Sequence, residues 1–136
     1  MVEMKSTSDL DQLKFTKTHE WLRLEGTKGI VGITNHAQEE ISDVVFVELP
    51  KPGRTVSQGE EVAVVESVKA AFSIYAPASG TVAQGNGALA KDPGILNRSP
   101  YGEGWIFVLQ MNNPGETESL MDFGQYDQWV KGEGGH

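Results

Sequence analysis

Short β-rich segments separated by turn residues are the feature that most constrains the fold of this chain. Sixteen glycines and six prolines interrupt its 136 residues. Between them lie runs of β-branched and aromatic residues that have the ordinary length of strands. These runs span residues 21–24, 29–33, 44–48, 62–66, 74–76, 80–83 and 105–109. Many short strands joined by Gly- and Pro-rich turns are typical of a sandwich or barrel, so the pattern predicts a small, mainly β domain.

Two segments are predicted to be helical. Residues 35–41 begin with Asn35, a favourable N-cap, and Gln38 is placed to complete a capping-box-like pair. Near the C-terminus, apolar residues recur at helical spacing, at Leu120, Phe123, Tyr126 and Val130. We therefore expect a C-terminal helical segment packed on the β core.

The domain organisation predicted from these patterns is simple. Residues 1–13 are expected to form an N-terminal extension, residues 14–131 a single domain that includes the C-terminal helical segment, and residues 132–136 a flexible tail.

Composition argues against several classes of chemistry. The chain has no cysteine, which excludes disulfides and thiolate metal sites. Its net charge is −8 and it has no basic cluster, which argues against nucleic acid or an anionic membrane as a partner. No apolar run approaches the roughly 20 residues of a membrane-spanning helix, and the N-terminus resembles no targeting peptide. We expect a soluble protein of a bacterial or archaeal cytoplasm or, as a processed form, of the mitochondrial matrix.

The histidines also indicate a protein without a catalytic or metal centre. His19, His36 and His136 are scattered along the chain. They join no pattern of nucleophile and base, and no set of metal ligands at characteristic spacing. The sequence therefore predicts no enzyme and no metal site.

The stretch "AVVESVKAAFSIYAPASG", residues 63–80, holds a single lysine, Lys69. Strand-like runs lie on both sides of "SVKA", so Lys69 is predicted to lie near the tip of a hairpin. Valine beside lysine is poor turn chemistry, because tight hairpins favour Gly, Asn or Asp. A lysine at a rigid hairpin tip is accessible to other enzymes and suits the attachment of a prosthetic arm. The alternative is an ordinary solvated lysine.

Four segments of the chain resemble the glycine cleavage system H protein family. They are "THEWLRLEG" at 18–26, "VGITNHAQEEISDVVFVELP" at 31–50, "ESVKAAFSIYAP" at 66–77 and "NRSPYGEGW" at 97–105. The resemblance implies a flattened β-barrel or sandwich of the lipoyl-domain (barrel-sandwich hybrid) type with short helices. It also implies that Lys69 carries lipoate as N6-lipoyllysine.

The resemblance further implies which residues the lipoate-attaching enzymes recognise. By position they are the neighbours of the lysine together with one glycine further along: Glu66, Ser67, Val68, Ala70 and Gly80. Biotin carrier domains are related, but methionines usually flank their lysine. Val68 and Ala70 flank Lys69 here, which favours lipoate over biotin.

The function implied by the resemblance is that of a carrier. In the family, a glycine decarboxylase loads an aminomethyl group onto the arm, and a folate-dependent aminomethyltransferase removes it. A dihydrolipoamide dehydrogenase then reoxidises the arm. The chain departs from the family's usual Ser-Asp at Phe72 and Ser73. A lipoylated protein that serves another pathway as a lipoyl relay is therefore the alternative.

A loaded arm is prone to hydrolysis, so a carrier benefits from a cleft that shields it from water. The amine of the arm is cationic at neutral pH and is complemented by an acidic or hydrogen-bonding wall. We expect Glu20 and His36 in that wall and Trp21 as apolar lining. The alternative is that Glu20 and His36 are solvated loop and helix-cap residues.

Overall fold

Two antiparallel sheets make up the computed structural model, which describes residues 10–134. The strands are β1 (Leu13–Phe15), β2 (Glu20–Glu25), β3 (Lys28–Ile33), β4 (Val44–Glu48), β5 (Thr55–Val56), β6 (Glu61–Ser67), β7 (Ala71–Tyr75), β8 (Gly80–Gly85) and β9 (Phe107–Met111). The larger sheet has the order β1-β2-β3-β9-β8-β5, and the smaller sheet has the order β4-β6-β7. The prediction of a mainly β fold is confirmed.

Short helical segments connect and cover the sheets. They are α1 (Asn35–Ile41), α2 (Ala88–Lys91), α3 (Ile95–Arg98), a 3-10 helix (Pro114–Ser119), α4 (Phe123–Trp129) and a π-helical turn (Val130–Gly134). Within the described part of the chain, no helix is long and apolar enough to cross a membrane.

One apolar core fills the space between the two sheets. Leu22 and Val31 of the larger sheet join Val47, Val65 and Ile74 of the smaller sheet in a single buried cluster. Because side chains alternate along a strand, β3 and β9 contribute every second residue to this core, Val31 and Ile33 from β3 and Phe107, Leu109 and Met111 from β9. The sheets therefore pack face to face, as in a sandwich.

The predicted C-terminal helical segment covers the opposite face of the larger sheet. Phe15, Trp21 and Ile30 form a second buried cluster with Tyr126 of α4. The rings of Phe15 and Tyr126 stack with their centroids 4.9 Å apart. This helix protects a sheet face whose apolar residues would otherwise be exposed to water.

The structure shifts two of the boundaries expected from the sequence. Leu13, assigned to the N-terminal extension, is buried and begins β1. Gly132, assigned to the tail, lies within the π-helical turn. Burial of Leu13 and Phe15 against α4 explains the first shift, because an apolar strand gains free energy when it pairs at the sheet edge. Residues 1–9 and 135–136 of the expected extension and tail lie outside the described residues.

The N-cap of α1 also differs from the prediction. Thr34, not Asn35, precedes the helix in an extended conformation, and its Oγ1 accepts a hydrogen bond from the backbone N of Ala37 at 3.1 Å. Asn35 is already helical, and its side chain instead accepts a hydrogen bond from Nε2 of Gln38. Both Thr and Asn are good caps, so local sequence does not distinguish them.

We expect Asp122→Ala to lower the free energy of unfolding by about 1 kcal/mol, the typical value of an N-cap. Asp122 and Gln125 form a reciprocal capping box at the start of α4, with hydrogen bonds of 2.8 and 2.9 Å. Urea unfolding measures the change, and Glu118→Ala on the exposed 3-10 helix is the matched control. Equal stability of the two variants would contradict this role of the cap.

Candidate functional site

The tip of the β6–β7 hairpin consists of Val68, Lys69 and Ala70. The Oγ of Ser67 accepts hydrogen bonds from the backbone N of Lys69 at 3.0 Å and of Ala70 at 3.2 Å. The backbone N of Ser67 donates to the carbonyl of Ala70 at 2.9 Å. In the described part of the chain, the non-glycine residues with positive φ are His19 and Ser42. The tip therefore needs no glycine, because the serine hydroxyl satisfies the turn.

The backbone of the tip is also fixed to the neighbouring strand. The N of Val68 donates to the carbonyl oxygen of Asp43 at 3.0 Å, which extends the pairing of β4 with β6 beyond Ser67. The side chains of Val68, Lys69 and Ala70 are nevertheless exposed. A rigid backbone thus presents an accessible lysine, as the sequence predicts.

The ammonium group of Lys69 lies at the C-terminal end of α1. Its Nζ donates a hydrogen bond to the carbonyl oxygen of Glu40 at 3.0 Å. The last carbonyls of a helix lack partners within the helix and carry partial negative charge, so a cation is favoured there. This contact holds the lysine side chain toward α1.

A cavity of about 340 Å³ lies beside Lys69. Its walls come from the loop before β2, from α1 and from β7. Residues that border it with Lys69 include Thr18, His19, Ala37, Glu40, Phe72 and Ser73. This volume is at the lower end of the range of small-molecule sites, roughly 300 to 1,000 Å³.

Phe72 and Ser73, where the chain departs from the family pattern, both belong to this wall. Phe72 packs against the core between the sheets and contributes apolar surface to the cavity. The hydroxyl of Ser73 donates a hydrogen bond to the carboxylate of Glu61. The departure therefore changes the surroundings of any group that enters the cavity.

Glu20 lies behind the cavity wall rather than on it. Its side chain is 0% exposed. One carboxylate oxygen accepts hydrogen bonds from the hydroxyls of Thr16 and Thr18, each at 2.5 Å, and the other accepts from the backbone N of Tyr75 at 3.0 Å. Burial raises the pKa of this carboxyl group, although these hydrogen bonds oppose the shift. Glu20 hydrogen bonds to Thr18, which borders the cavity.

His19, rather than the predicted His36, is the imidazole that borders the cavity. The two rings lie 4.9 Å apart, and Nε2 of His36 is 3.3 Å from the carboxylate of Glu40. The Nδ1 of His19 is hydrogen bonded to the hydroxyl of Tyr126 at 2.7 Å. Burial, and secondarily the charge of His36, lower the pKa of His19. No group of three or more His, Asp or Glu in residues 10–134 is placed to hold a metal ion.

Trp21 does not lie in the cavity wall, where we expect it from the sequence. Its indole is fully buried in the cluster under α4, and its Nε1 donates to the carbonyl oxygen of Pro100 at 2.9 Å. Glu20 and Trp21 are consecutive in β2, so their side chains point to opposite faces of the sheet. Glu20 therefore faces the space between the sheets, whereas Trp21 faces α4.

Gly80 has a structural reason to be glycine. It pairs with Met111 where β8 and β9 meet. A Cβ at this position would lie 2.1 Å from the carbonyl oxygen of Gln110, closer than real Cβ contacts come. Glu66, by contrast, is exposed beside the tip and free of this constraint.

A family model and individual relatives both show similarity to one protein family. The family model "Glycine cleavage H-protein" matches residues 13–133. A glycine cleavage system H protein of Paramagnetospirillum magneticum is 52% identical over 118 residues, covering 87% of this chain and 94% of that protein. One of Thermus thermophilus is 51% identical over 119 residues, covering 88% and 93%.

The fold is likewise similar to a solved structure. The crystal structure of a glycine cleavage system H protein from Mycobacterium marinum superposes with a TM-score of 0.82 at 35% sequence identity. The match covers 89% of this chain and 98% of that one. The similarity thus extends over nearly the whole domain, including the Lys69 hairpin.

The raised pKa of Glu20 can be tested by measuring stability as a function of pH. A carboxyl group with a raised pKa holds its proton more tightly in the folded chain, so its contribution to stability is lost as pH rises from the usual value of 4.5 through the raised pKa. Glu20→Gln cannot titrate. In urea unfolding, we therefore expect the stability of the parent protein relative to Glu20→Gln to fall as pH rises. Glu118→Gln is the exposed control, and a relative stability that grows with pH would contradict the raised pKa.

Gly80→Ala separates a structural role from recognition by an attaching enzyme. We expect this variant to lose about 1 to 3 kcal/mol of stability, as overpacked sites do. Gly87→Ala is the matched control, because a Cβ there meets nothing within 4 Å. Thermal unfolding measures both variants. If Gly80→Ala keeps full stability but is not modified on Lys69, its role is recognition and the steric account fails.

Proposed function

The chain belongs to the glycine cleavage H-protein family, and we propose that it is the lipoyl carrier of a glycine cleavage system, with lipoate attached to Lys69. The observation that carries the proposal is the position of Lys69. It is exposed at the tip of a hairpin whose backbone is fixed by Ser67 and Asp43, and it borders a cavity. An attaching enzyme reaches such a lysine without unfolding the domain.

The surroundings of Lys69 fit a lipoyl group. The arm is a mainly apolar chain, and Ile33, Ala37, Phe72 and Ile74 supply apolar surface in the adjacent cavity. When attached, lipoate supplies a disulfide that accepts a one-carbon fragment as it is reduced. The protein's part is to hold the root of the arm, to exclude water from its end, and to accept hydrogen bonds at the hydroxyl oxygens of Thr18 and Ser73, whose protons are donated to Glu20 and Glu61.

We infer that the chain is a carrier subunit and that catalysis belongs to its partners. The proposed partners are a glycine decarboxylase, an aminomethyltransferase, a dihydrolipoamide dehydrogenase and the enzymes that attach lipoate. Tethering the arm to an exposed tip raises its effective concentration at each partner's active site. The relatives named above come from bacteria, which supports a bacterial cytoplasm as the location.

The residues proposed for recognition by the attaching enzyme are Glu66, Val68 and Ala70, together with Ser67 and Gly80. Glu66, Val68 and Ala70 are exposed around Lys69, which supports direct contact. Ser67 and Gly80 have clear structural roles, in the turn and in the β8–β9 contact. We propose that these two act on recognition mainly by holding the hairpin in place.

A second function, that of a lipoyl relay for another pathway, is favoured by one observation. Phe72 and Ser73 depart from the family pattern and both border the cavity. A relay would accept and pass on lipoate without supporting glycine decarboxylation. Glycine-dependent release of carbon dioxide with a glycine decarboxylase distinguishes the two functions, and we expect the lipoylated protein to support it.

Modification of Lys69 is the direct test of the proposed function. With a lipoate ligase, ATP and lipoate, we expect intact mass to rise by one lipoyl group, and Lys69→Arg to abolish the increase. Lys51→Arg is the matched control and should be modified like the parent protein. Streptavidin binding after treatment with a biotin ligase, without lipoylation, would instead identify a biotin carrier.

A further inference from the structure

A bulge in β4 turns two consecutive apolar side chains toward solvent. Val44 pairs with Ser67 and Phe46 with Glu66, so Val45 has no partner across the strands. In a regular strand, one of two consecutive side chains points inward. Here both are exposed, Val45 by 54% and Phe46 by 49%. Bulges commonly redirect side chains in this way.

These two side chains lie close to the tip that carries Lys69. Because the N of Val68 donates to the carbonyl oxygen of Asp43, Val68 lies next to the bulge. We call Val45, Phe46 and Val68 the outer patch; Val68 is 69% exposed. In the described part of the chain, the other large exposed apolar residue is Leu24, on the other sheet.

The outer patch lies at the edge of a sheet, where exposed apolar residues need a reason. β4 is one of the two edge strands of the smaller sheet, and the backbone N of its first residue, Val44, donates to Oδ1 of Asn97. An apolar edge promotes aggregation unless it is covered, and natural proteins usually protect such edges with charges. The outer patch is an exposed apolar surface of this kind, and it lies beside Lys69.

The rim of the outer patch is acidic. Exposed carboxylates lie on β4, on β6 and directly before β4, at Glu48, Glu66 and Asp43, and Glu40 lies near Lys69 at the end of α1. Of these, only Glu40 has an ion pair within residues 10–134, and its partner is His36. Lys69 is a cation in the same region, where its Nζ donates to the carbonyl oxygen of Glu40. Acylation of Lys69 removes that charge, so the modified protein attracts basic surfaces more strongly than the unmodified one.

We propose that the outer patch is the docking surface for an enzyme that takes the acylated Lys69 arm into its active site. The contact surface of that enzyme is apolar at its centre and rich in Lys and Arg at its rim. This inference rests on the proposed acylation of Lys69. The charge change on acylation favours an enzyme that binds the modified form over one that attaches the arm. A second copy of the chain is disfavoured, because its acidic rim would face another acidic rim.

The test compares Val45→Thr/Phe46→Ser with Leu24→Thr, an exposed apolar residue on the other sheet. Each lipoylated protein is titrated as substrate of a glycine decarboxylase. We expect the double variant to raise KM by about tenfold or more, the effect of losing interface anchors. Because the chemistry is unchanged, kcat at saturation and the rate of lipoylation should match the parent protein. Leu24→Thr should change none of these values.

A second arm tests the charged rim. We expect Glu48→Gln to weaken the dependence of KM on salt, since one carboxylate fewer attracts the basic partner. If Val45→Thr/Phe46→Ser is unstable, Val45→Thr alone replaces it, and we expect a smaller rise in KM.

The outcomes that overturn the proposal are distinct. Slower lipoylation with an unchanged KM would assign the outer patch to the attaching enzyme. A dimer in sedimentation that the double variant dissociates would assign it to self-association. Unchanged KM with normal lipoylation would overturn the docking surface alone. Absence of lipoylation in the parent protein would overturn the proposed function as well.

Discussion

The buried carboxyl group of Glu20 joins the two sheets at the root of the Lys69 hairpin. It comes from β2 in the larger sheet and accepts a hydrogen bond from the backbone N of Tyr75, the last residue of β7 in the smaller sheet. Hydroxyls of Thr16 and Thr18 satisfy its other oxygen. A buried carboxyl group without such partners would be costly, so the loop before β2 and the end of β7 are constrained together. Thr18 in that loop and Ile74 in β7 both border the cavity beside Lys69.

Lys69 combines a rigid backbone with a flexible side chain. Ser67 closes the turn with its hydroxyl, and the N of Val68 ties the tip to Asp43. The backbone at Lys69 is therefore held on both sides, whereas its long side chain keeps its rotational freedom beyond a single hydrogen bond to Glu40. A carrier needs both properties, because partners must recognise a fixed surface while the arm moves among active sites.

Patterns that depend on local residue type were readable from the sequence. Strand-length apolar runs predicted the mainly β fold, and the runs on either side of "SVKA" predicted the hairpin that presents Lys69. The C-terminal apolar stripe predicted α4. Strict alternation along β2 would also have separated Glu20 from Trp21, since consecutive side chains face opposite sides of a sheet.

Features that depend on distant contacts were not readable. His19 borders the cavity in place of His36, and its backbone has a positive φ of 73°, a conformation that no local signal predicts for a histidine. The bulge at Val45 arises from a register shift between β4 and β6. The close approach of Gln110 to Gly80 likewise comes from strand pairing across the fold.

The central claim, that this fold exists to present a lipoylated lysine, is tested most directly by mass spectrometry of the protein from its native cells. We expect one lipoyl group, located on the peptide that contains Lys69. An unmodified Lys69, or a lipoyl group on another lysine, would contradict it.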